Sequence, residues 1–464
     1  MDALYSISEI VAATGGSAEG VAAGAVSSIS IDSREIAPGA LFVAIKGENF
    51  DGHDFVGKAI EAGAVAALVS REKAEALAGL PLIVVEDALE GLNELARFSR
   101  SRSKARIVAV TGSVGKTSTK EAIRVALEAS GKTHASIKSF NNHWGVPLML
   151  ARMPADMQFG VFEIGMNHAG EITPLSRLVR PHVAVITTVA PAHLEFFPSV
   201  GAIADAKAEI FSGVEPGGAA ILGRDHEHVE RLIDAARAAG LAPLTYGFEA
   251  ADVTISDYHP TPDGGAARVS GDGLSLEIAT ATAGRHMLAN AVAALLVARA
   301  LGADVEKSVA ALARHGAPEG RGAASLLGDR ANPLRLIDES YNANPTSMRA
   351  ALEVFADMPT AGRRVLVLGD MRELGAAAED YHAELAPAVV SARPDLVFLV
   401  GRHMGALDAA LPAGLVAKRT QAVDEIAQDV LQTLAPGDSV MLKGSNGVRL
   451  GTLVARIRDR FGAQ

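Results

Sequence analysis

Short apolar runs rich in Val, Ile, Leu and Ala recur along this chain, and longer amphipathic or Ala-rich segments separate most of them. Runs of this length predict buried strands, whereas the longer segments predict helices. The predicted strands are Val26–Asp32, Ala40–Ile45, Val65–Val69, Leu82–Val85, Ile107–Val110, Val161–Ile164, Val183–Thr188, Ala219–Leu222, Leu244–Tyr246, Leu334–Ile337, Arg364–Leu368, Leu396–Val400 and Ser439–Lys443. This alternation predicts an α/β fold built on largely parallel sheets.

The helical pattern is clear in several of the intervening segments, and it is absent from one. The predicted helices include Phe55–Ala62, Asp87–Ser103 and Met287–Ala300, the last ending at Leu301–Gly302. Residues 251–282 instead predict short antiparallel strands around an exposed turn at Pro262–Gly265. From these patterns we predict three units, which comprise residues 1–85, 86–315 and 316–464.

The most informative stretch runs from Arg106 to Glu121, where an apolar strand leads into the turn T-G-S-V-G-K-T. A strand, a glycine loop and a helix start together hold a phosphate group, because free backbone N–H groups point outward and the helix dipole favours an anion. Lys116 can reach the β- and γ-phosphates, and the Thr117 hydroxyl stands where a Mg²⁺ ligand is expected. The predicted nucleotide contacts are Thr111, Gly112, Ser113, Val114, Gly115, Lys116, Thr117 and Ser118.

This loop departs from the usual G-x-x-x-x-G-K-[ST] pattern, because Val110 occupies the place of the first glycine. The alternative is a glycine-rich turn that merely joins a strand to a helix. The order of strand, G-K-T and helix favours phosphate binding over this alternative.

Three side chains near the ends of later strands could complete a site beside this loop. Glu163 ends a strand, where a carboxylate suits Mg²⁺, and His193 follows the next strand. Lys207 lies on the helix after that. The alternatives are a carboxylate that caps a sheet end, a packed histidine and a solvated helix lysine. For Lys207 the residue pattern by itself favours the solvated lysine.

Polar residues in the second half of the chain add further candidates. Asn290 is an amide on an otherwise apolar helix, where it could bind a base edge or cap a neighbouring strand. Arg321 lies between the second and third units, where its guanidinium could reach a phosphate or a ribose. Asp338 and Asn342 lie between a strand and a helix that Pro345 opens, which suggests nucleotide or substrate contacts from the third unit.

Composition narrows the class of protein. The 464 residues carry a formal net charge of −11, which argues against nucleic acid or an anionic membrane surface as the main partner. Absence of cysteine excludes disulfides, thiolate zinc sites and cysteine nucleophiles. The N-terminal segment has no basic region of the kind that secretory signals carry, and no apolar run reaches the roughly 18 residues of a membrane span. We therefore expect a cytoplasmic protein.

Two polar clusters follow strands in the first unit, I-D-S-R-E at 31–35 and K-G-E-N-F-D-G-H-D-F at 46–55. Loops at strand ends of α/β units commonly carry binding groups. Ordinary turn chemistry explains the glycines and asparagines of these clusters equally well, and residue types alone favour that explanation.

With these residues identified, the chain resembles the Mur ligases, ATP-dependent peptide-bond-forming enzymes of bacterial cell-wall synthesis. The resemblance covers nearly the whole chain, and the order of its motifs is more specific than any one of them. The motifs are IDSREIAPGALFVAIKGENFDGHDF, TGSVGKTSTKE, NNHWGVPL, EIGMNHAGEI, VAPAHLE with AKAEI, GRHMLANAVAA, DESYNANPTSM, LGDMRELG and LKGS.

The resemblance implies a three-domain fold and a role for each candidate residue. A central P-loop domain with a parallel sheet would bind ATP, flanked by an N-terminal α/β domain for the UDP end of the substrate and a C-terminal Rossmann-like domain. Thr117, Glu163 and His193 would hold two Mg²⁺ ions, and Lys207 would support them as a carbamate. The implied nucleotide contacts from outside the loop are Asn290, Arg321, Asp338 and Asn342. The implied substrate contacts are Ser33, Arg34, Lys46, Gly47, Asn49, Asn141, Asn142 and His168.

The reaction that the resemblance implies joins D-alanyl-D-alanine to UDP-N-acetylmuramoyl-tripeptide through an acyl phosphate, with Lys116, Glu163, His193 and Lys207 as its catalytic residues. We expect a monomer that binds no nucleic acid. One rival is a sister ligase that adds another amino acid, because those enzymes share the loop and the metal-binding residues. A rival of another class is a P-loop switch protein, which would need none of Glu163, His193 and Lys207; the chain also lacks the [NT]-K-x-D motif that reads guanine.

Overall fold

The computed structural model describes residues 3–261 and 264–462, which form four sheets in three successive units. Each of the three larger sheets is mainly parallel and has helices packed on its faces. The predicted α/β architecture is therefore confirmed. Of the turn predicted at Pro262–Gly265, Pro262 and Asp263 lie outside the described residues.

The first unit contains a two-stranded antiparallel pair, β1–β3, and a five-stranded sheet in the order β2-β7-β6-β5-β4. Its strands are β1 Tyr5–Ser6, β2 Ser17–Glu19, β3 Ala25–Val26, β4 Ser28–Ser30, β5 Ala40–Val43, β6 Ala66–Ser70 and β7 Leu82–Val85. Its helices are α1 Ile7–Thr14, α2 Val56–Glu61 and α3 Arg71–Ala74, and α4 Ala88–Arg102 leads from it to the central unit. Only β2 is antiparallel within the larger sheet as described.

The central unit is a nine-stranded sheet in the order β16-β15-β14-β13-β12-β11-β8-β10-β9. Its strands are β8 Arg106–Thr111, β9 Thr133–Ala135, β10 Phe159–Glu163, β11 Val183–Ile186, β12 Ala219–Gly223, β13 Ala242–Gly247, β14 Val253–Thr261, β15 Gly264–Gly271 and β16 Leu274–Thr280. Its helices are α5 Lys116–Glu128, α6 Gly145–Ala151, α7 Ile172–Val179, α8 Val200–Ala208, α9 Val229–Ala238, α10 Arg285–Ala300 and α11 Val305–Leu312. In this order all pairs from β14 to β9, including those of β8, are parallel. Strands β14, β15 and β16 pair antiparallel, as predicted.

The third unit is a six-stranded sheet in the order β17-β18-β22-β19-β20-β21, in which β17 is the antiparallel strand. Its strands are β17 Ala323–Leu327, β18 Leu334–Glu339, β19 Arg364–Gly369, β20 Leu396–Val400, β21 Val416–Thr420 and β22 Ser439–Lys443. Its helices are α12 Pro345–Asp357, α13 Ala378–Ala383, α14 Ala386–Ser391, α15 Met404–Ala410, α16 Asp424–Thr433 and α17 Leu450–Phe461.

Strand β8 shows why the sequences of the central strands are continuous apolar runs. Ile107 and Ala109 pack into a core on one face of the sheet, whereas Val108 and Val110 pack into the core on the other face. Both faces of a parallel strand are covered by helices, so alternation between apolar and polar residues is lost. The carboxyl end of this strand is consequently the point where the chain can present polar groups.

Helix α10 is buried on most of its surface, and Asn290 is among its buried residues. The helix begins at Arg285 rather than Met287, and it ends at Leu301–Gly302 as predicted. Within the described part of the chain, no helix has both the length and the apolar composition of a membrane span.

The predicted strand Val26–Asp32 is wrong as a single element. The chain changes sheets at Ser27, because β3 pairs antiparallel with β1 whereas β4 pairs parallel with β5. The amide of Ser27 instead donates to the carbonyl of Gly39 at 2.9 Å. The pattern of apolar residues cannot reveal such a change, because pairing with either partner strand requires the same extended, half-buried backbone.

Candidate active site

A cavity of about 1140 Å³ lies between the central and C-terminal units. Its central walls come from the loop after β8, the carboxyl end of β10 and the loop after β11. Its third-unit walls come from residues that follow β18 and from α12. Binding clefts of α/β proteins form at the carboxyl ends of parallel strands, and this cavity occupies that position in both sheets.

The loop after β8 has the backbone geometry that the sequence predicted for phosphate binding. Gly115 has a φ of +85° and precedes the first helical residue, Lys116. A Cβ atom on Gly112 would overlap Oγ1 of Thr187, so the loop packs against the neighbouring strand end at a point where no side chain fits. The hydroxyl of Thr187 donates to the carbonyl of Val114 at 2.6 Å. Loop and strand end therefore form one rigid edge.

Lys116 folds back over the loop, and its Nζ donates to the carbonyl of Gly112 at 2.7 Å. Burial lowers the pKa of Lys116, an effect that nearby Glu163 opposes and Arg321 reinforces. Thr111 and Ser118, which were predicted nucleotide contacts, are buried at the two ends of the loop, and Thr111 does not line the cavity.

Ser113 ties the loop to the segment that carries His193. Its amide donates to the carbonyl of Thr188 at 2.8 Å, and its hydroxyl both donates to and accepts from the backbone of Ala190, each at 3.0 Å. His193, which also lines the cavity, follows in the same segment.

Both carboxylate oxygens of Glu163 are engaged at the edge of the cavity. Oε2 accepts a hydrogen bond from the Thr117 hydroxyl at 2.8 Å, and Oε1 accepts one from Nδ2 of Asn141 at 2.7 Å. Glu163 is 1% exposed. Two predicted metal-binding side chains, from β10 and α5, are thus in direct contact.

Lys207 is 1% exposed on α8, so the solvated-lysine interpretation is wrong. Among the described residues it has neither an ion pair nor a hydrogen-bond partner for its side chain. Burial lowers its pKa well below the usual lysine range, and the positive charge of Lys116 acts in the same direction. A buried, unpaired amine of this kind is costly, which makes it a candidate for chemistry.

His193 faces a carboxylate from the third unit. Its Nδ1 lies 2.5 Å from Oε2 of Glu373, and this imidazole lowers the pKa of the Glu373 carboxyl group. The sequence contained Glu373 within L-G-D-M-R-E-L-G, but nothing in the sequence connected that motif with His193.

The four remaining predicted nucleotide contacts have different surroundings. Oδ1 of Asn290 accepts from Thr119 at 2.9 Å beside Gly115, close to the phosphate loop. The guanidinium of Arg321 lies 4.1 Å from the ring centre of Tyr341 in the cavity wall.

Asn342 lines the cavity, whereas Asp338 does not. Asp338 is buried, and its Oδ1 accepts from the amide and hydroxyl of Ser340 at 3.1 and 2.6 Å. Glu339, the next residue, lines the cavity in its place and pairs with Lys443 at 2.9 Å. The sequence did not predict this pair, although Glu339 lies in DESYNANPTSM and Lys443 in LKGS.

The predicted substrate contacts fall into two groups. Asn141 and Asn142 line the cavity, and His168 lies near it, paired with Glu171 at 2.9 Å. The contacts predicted in the first unit are Ser33, Arg34, Lys46, Gly47 and Asn49, and they follow the carboxyl ends of β4 and β5, away from the cavity walls. These two strands are parallel neighbours, so the two loops share one edge of the first sheet.

Comparison with known proteins matches three family models along the chain. Residues 25–100 match the Mur ligase family catalytic domain, residues 110–298 the Mur ligase middle domain, and residues 325–446 the Mur ligase glutamate ligase domain. The middle-domain match contains the phosphate loop, Glu163, His193, Lys207 and Asn290.

Named relatives match over nearly full length. The chain is 36% identical to UDP-N-acetylmuramoyl-tripeptide–D-alanyl-D-alanine ligase of Escherichia coli, with 93% of each chain covered. It is 32% identical to the enzyme of the same name from Bacillus subtilis, with 92% of each covered.

Solved structures agree with these relatives. A crystal structure of MurF from Acinetobacter baumannii superposes with a TM-score of 0.86 at 30% identity, covering 99% of this chain and 100% of that one. MurF from Thermotoga maritima, solved in complex with ADP, gives a TM-score of 0.79 at 26% identity, covering 93% and 97%. With the phosphate loop and the acidic strand end lining one cavity, and with relatives that match from end to end, this chain belongs to the Mur ligase family.

Proposed function

We propose that this protein is an ATP-dependent ligase that joins D-alanyl-D-alanine to UDP-N-acetylmuramoyl-tripeptide. The observation that carries this proposal is the phosphate loop, which opens into a cavity whose opposite wall comes from the third unit. A ligase needs such a cavity, because the activated carboxyl group must meet an amine before it meets water. The names of relatives at 36% and 32% identity supply the substrates.

In this proposal each of the three units, which comprise residues 1–85, 86–315 and 316–464, has its own role. The loops after β4 and β5 bind the UDP end of the first substrate. The central unit binds ATP, and the third unit covers the reacting groups. Lys138 and Glu35 form an exposed ion pair of 2.8 Å between the first and central units.

Lys116 and the amides of its loop hold the β- and γ-phosphates. The ammonium group already lies over the loop, bonded to the Gly112 carbonyl at 2.7 Å. Arg321 is fixed by its stacking on Tyr341 and offers a second cation to phosphate or ribose. Negative charge that develops on the transferring phosphoryl group is stabilised by these fixed cations.

The donor set beside the loop fits Mg²⁺. The Thr117 hydroxyl and the Glu163 carboxylate are hard oxygen donors in contact at 2.8 Å, which is the ligand chemistry that Mg²⁺ prefers. Within the described residues no group of three or more His, Cys, Asp or Glu could hold a metal by itself. Mg²⁺ bound with ATP typically takes its remaining ligands from phosphate and water. When bound, it neutralises phosphate charge; we assign Thr117 and Glu163 to one ion and His193 to a second.

Lys207 fits a carbamate. A free ammonium at this buried position has no partner and would repel a metal ion, whereas its lowered pKa favours the neutral, nucleophilic amine. Attack of that amine on CO₂, with loss of one proton, forms a C–N bond and gives an anion with two oxygens. That product would convert an unpaired cation into an anionic support for Mg²⁺.

The reaction then proceeds in two substitutions. A carboxylate oxygen of the tripeptide attacks the γ-phosphorus, the bond to the bridging β–γ oxygen breaks, and ADP leaves. The free amine of D-alanyl-D-alanine attacks the acyl carbon, the bond to the phosphate oxygen breaks, and the nitrogen loses a proton to give the amide. The third unit excludes water while the acyl phosphate exists.

The test measures phosphate release from ATP and Mg²⁺ with UDP-N-acetylmuramoyl-tripeptide, with and without D-alanyl-D-alanine, together with the mass of the product. We expect release to require both substrates and the product to gain one D-alanyl-D-alanine unit. Release that ignores the dipeptide but requires another amino acid would identify a sister ligase. Absence of release with every muramoyl nucleotide, from a folded protein that binds ATP, would refute the proposal.

The proposal also assigns a location and an assembly. Two of its substrates, ATP and the UDP-linked tripeptide, are nucleotides of the cell interior, so we place the enzyme in the cytoplasm. We also propose a monomer, because Lys116, Glu163 and His193 of a single chain line one cavity.

A further inference from the structure

The central and C-terminal units meet at two residues whose backbones are left-handed. Glu373 has a φ of +63° and His193 a φ of +59°, a region that residues other than glycine seldom adopt. Oε2 of Glu373 lies 2.5 Å from Nδ1 of His193, and the amide of Glu195 donates to the Glu373 carbonyl at 3.2 Å. Conformations of this kind persist where the surrounding structure holds them. The pair therefore marks a defined contact between the units.

The third unit holds its side of this contact rigidly. The amide of Met371 donates to Nε2 of the buried His382 at 3.0 Å. The amide of Arg372 donates to Oγ of Ser445 at 2.9 Å. Because the two residues before Glu373 are both fixed to the body of the unit, its carboxylate reaches the central unit from a set position.

The central unit holds the other side through the phosphate loop. The segment that carries His193 is bonded to Ser113 at Thr188 and Ala190, over distances of 2.8 to 3.0 Å. The chain of contacts therefore runs from the phosphate loop through His193 to Glu373. Any movement of the third unit away from the central unit breaks it at the Glu373–His193 pair.

We infer that Glu373 is a positioning residue for His193 and that it acts only while the third unit is seated on the central unit. Its carboxylate pairs with Nδ1 at 2.5 Å, outside the geometry of a hydrogen bond, on a ring that lines the cavity. A carboxylate that orients a metal-binding imidazole fixes the ring and strengthens it as a ligand. This inference rests on the proposed function, because there His193 binds Mg²⁺.

The arrangement makes part of the metal site depend on the position of a separate unit. The central unit alone contains His193 but not the carboxylate that orients it. The metal site is therefore complete only when the third unit contacts the central unit. The same contact excludes water from the cavity, so phosphoryl transfer and exclusion of water depend on one arrangement of the units. Glu373 itself does not line the cavity, so it would act through His193.

The test compares Glu373→Gln with Glu379→Gln in the full chain. Both changes remove one carboxylate charge from the same unit, and Glu379 is exposed and has no side-chain partner among the described residues. Two quantities are measured: the Mg²⁺ concentration that gives half-maximal phosphate release, and hydrogen exchange of peptides from 190–197 in the substrate-free protein. Thermal unfolding confirms that each variant is folded.

We expect Glu373→Gln to raise the half-maximal Mg²⁺ concentration about tenfold or more and to speed exchange in 190–197, while Glu379→Gln changes neither. An unchanged Mg²⁺ requirement and unchanged exchange in Glu373→Gln would overturn the inference. If the wild-type protein releases no phosphate, the proposed function fails. The exchange measurement then still decides whether Glu373 holds the His193 segment.

Discussion

Oγ1 of Thr117, on the first turn of α5, donates a 2.8 Å hydrogen bond to Oε2 of Glu163 at the end of β10. The two residues are neighbours because β8 and β10 pair in parallel, with Glu163 opposite Val110. The strand that delivers the phosphate loop and the strand that delivers the carboxylate consequently end at the same level. Removal of this carboxylate should affect catalysis more than folding.

Glu163→Gln is expected to lower ATP turnover on the order of 10²-fold, because the charge proposed to bind Mg²⁺ disappears while a hydrogen-bond acceptor for Thr117 remains. Steady-state phosphate release and Mg²⁺-dependent ADP binding provide the measurement. Glu128→Gln is the matched control, since Glu128 is an exposed carboxylate at the far end of α5, the helix that carries Thr117. Equal turnover in the two variants would contradict a role for Glu163 at the phosphates.

Lys207→Met is expected to abolish activity and to raise the free energy of unfolding by about 1 kcal/mol or more, because it replaces a buried, unpaired amine with an apolar side chain of similar length. Urea unfolding in CO₂-free buffer measures the second quantity. Between the lowered folded pKa and the unfolded value of about 10.4, the unfolded state binds the extra proton. Wild-type stability from this lysine therefore rises with pH across that interval.

Lys207→Ala supplies the complementary test. If a carbamate acts at this position, formate or acetate should restore part of the lost activity by entering the vacated space. For Lys207→Met, the surface control is Lys104→Met, because Lys104 is exposed. Loss of activity without any rescue, together with unchanged activity of wild type after CO₂ removal, would argue against the carbamate.

Gly112→Ala is expected to weaken ADP binding by about tenfold or more, because the new Cβ overlaps Oγ1 of Thr187 and must displace the phosphate loop. Calorimetric titration with ADP gives the affinity. Gly79→Ala is the control: Gly79 has a φ of +91° and nothing within 4 Å of its Cβ position. That control should lose about 1–2 kcal/mol of stability with normal ADP affinity. Normal affinity in both variants would show that the loop tolerates displacement.

His134 is expected to make the protein less stable in mild acid. Burial lowers the pKa of His134 to about 4, against an unfolded value of about 6.5. Between these values the unfolded state binds more protons, so stability falls as pH decreases from 6.5 towards 4. Urea unfolding at pH 7.5 and 5.0 should show His134→Gln reducing that fall by on the order of 1–2 kcal/mol.

The exposed His143 provides the comparison for this measurement. His143→Gln should leave the pH dependence of stability unchanged. An identical fall in wild type and His134→Gln would show that burial of His134 is not responsible.

Features encoded by neighbouring residues were predicted correctly from the sequence. The strand, turn and helix around Lys116 depend on local backbone preferences, and the predicted parallel arrangement followed from alternating apolar segments. Glu163 was placed correctly at a strand end for the same reason. Local patterns failed where a strand changed partner, as at Ser27.

Other properties depended on contacts between distant segments. Helix α8 is rich in alanine on several sides, so its sequence could not show that Lys207 points into the protein. The sequence around β18 likewise could not show that Asp338 turns towards Ser340 while Glu339 lines the cavity.

The sequence by itself therefore determined the phosphate loop, the class of fold and the residues available for chemistry, because backbone preference and apolar periodicity are local. The tertiary structure decided which of those residues meet. The burial of Lys207 and the contact between His193 and Glu373 arise from packing between elements far apart in the chain, and no local pattern encodes that packing.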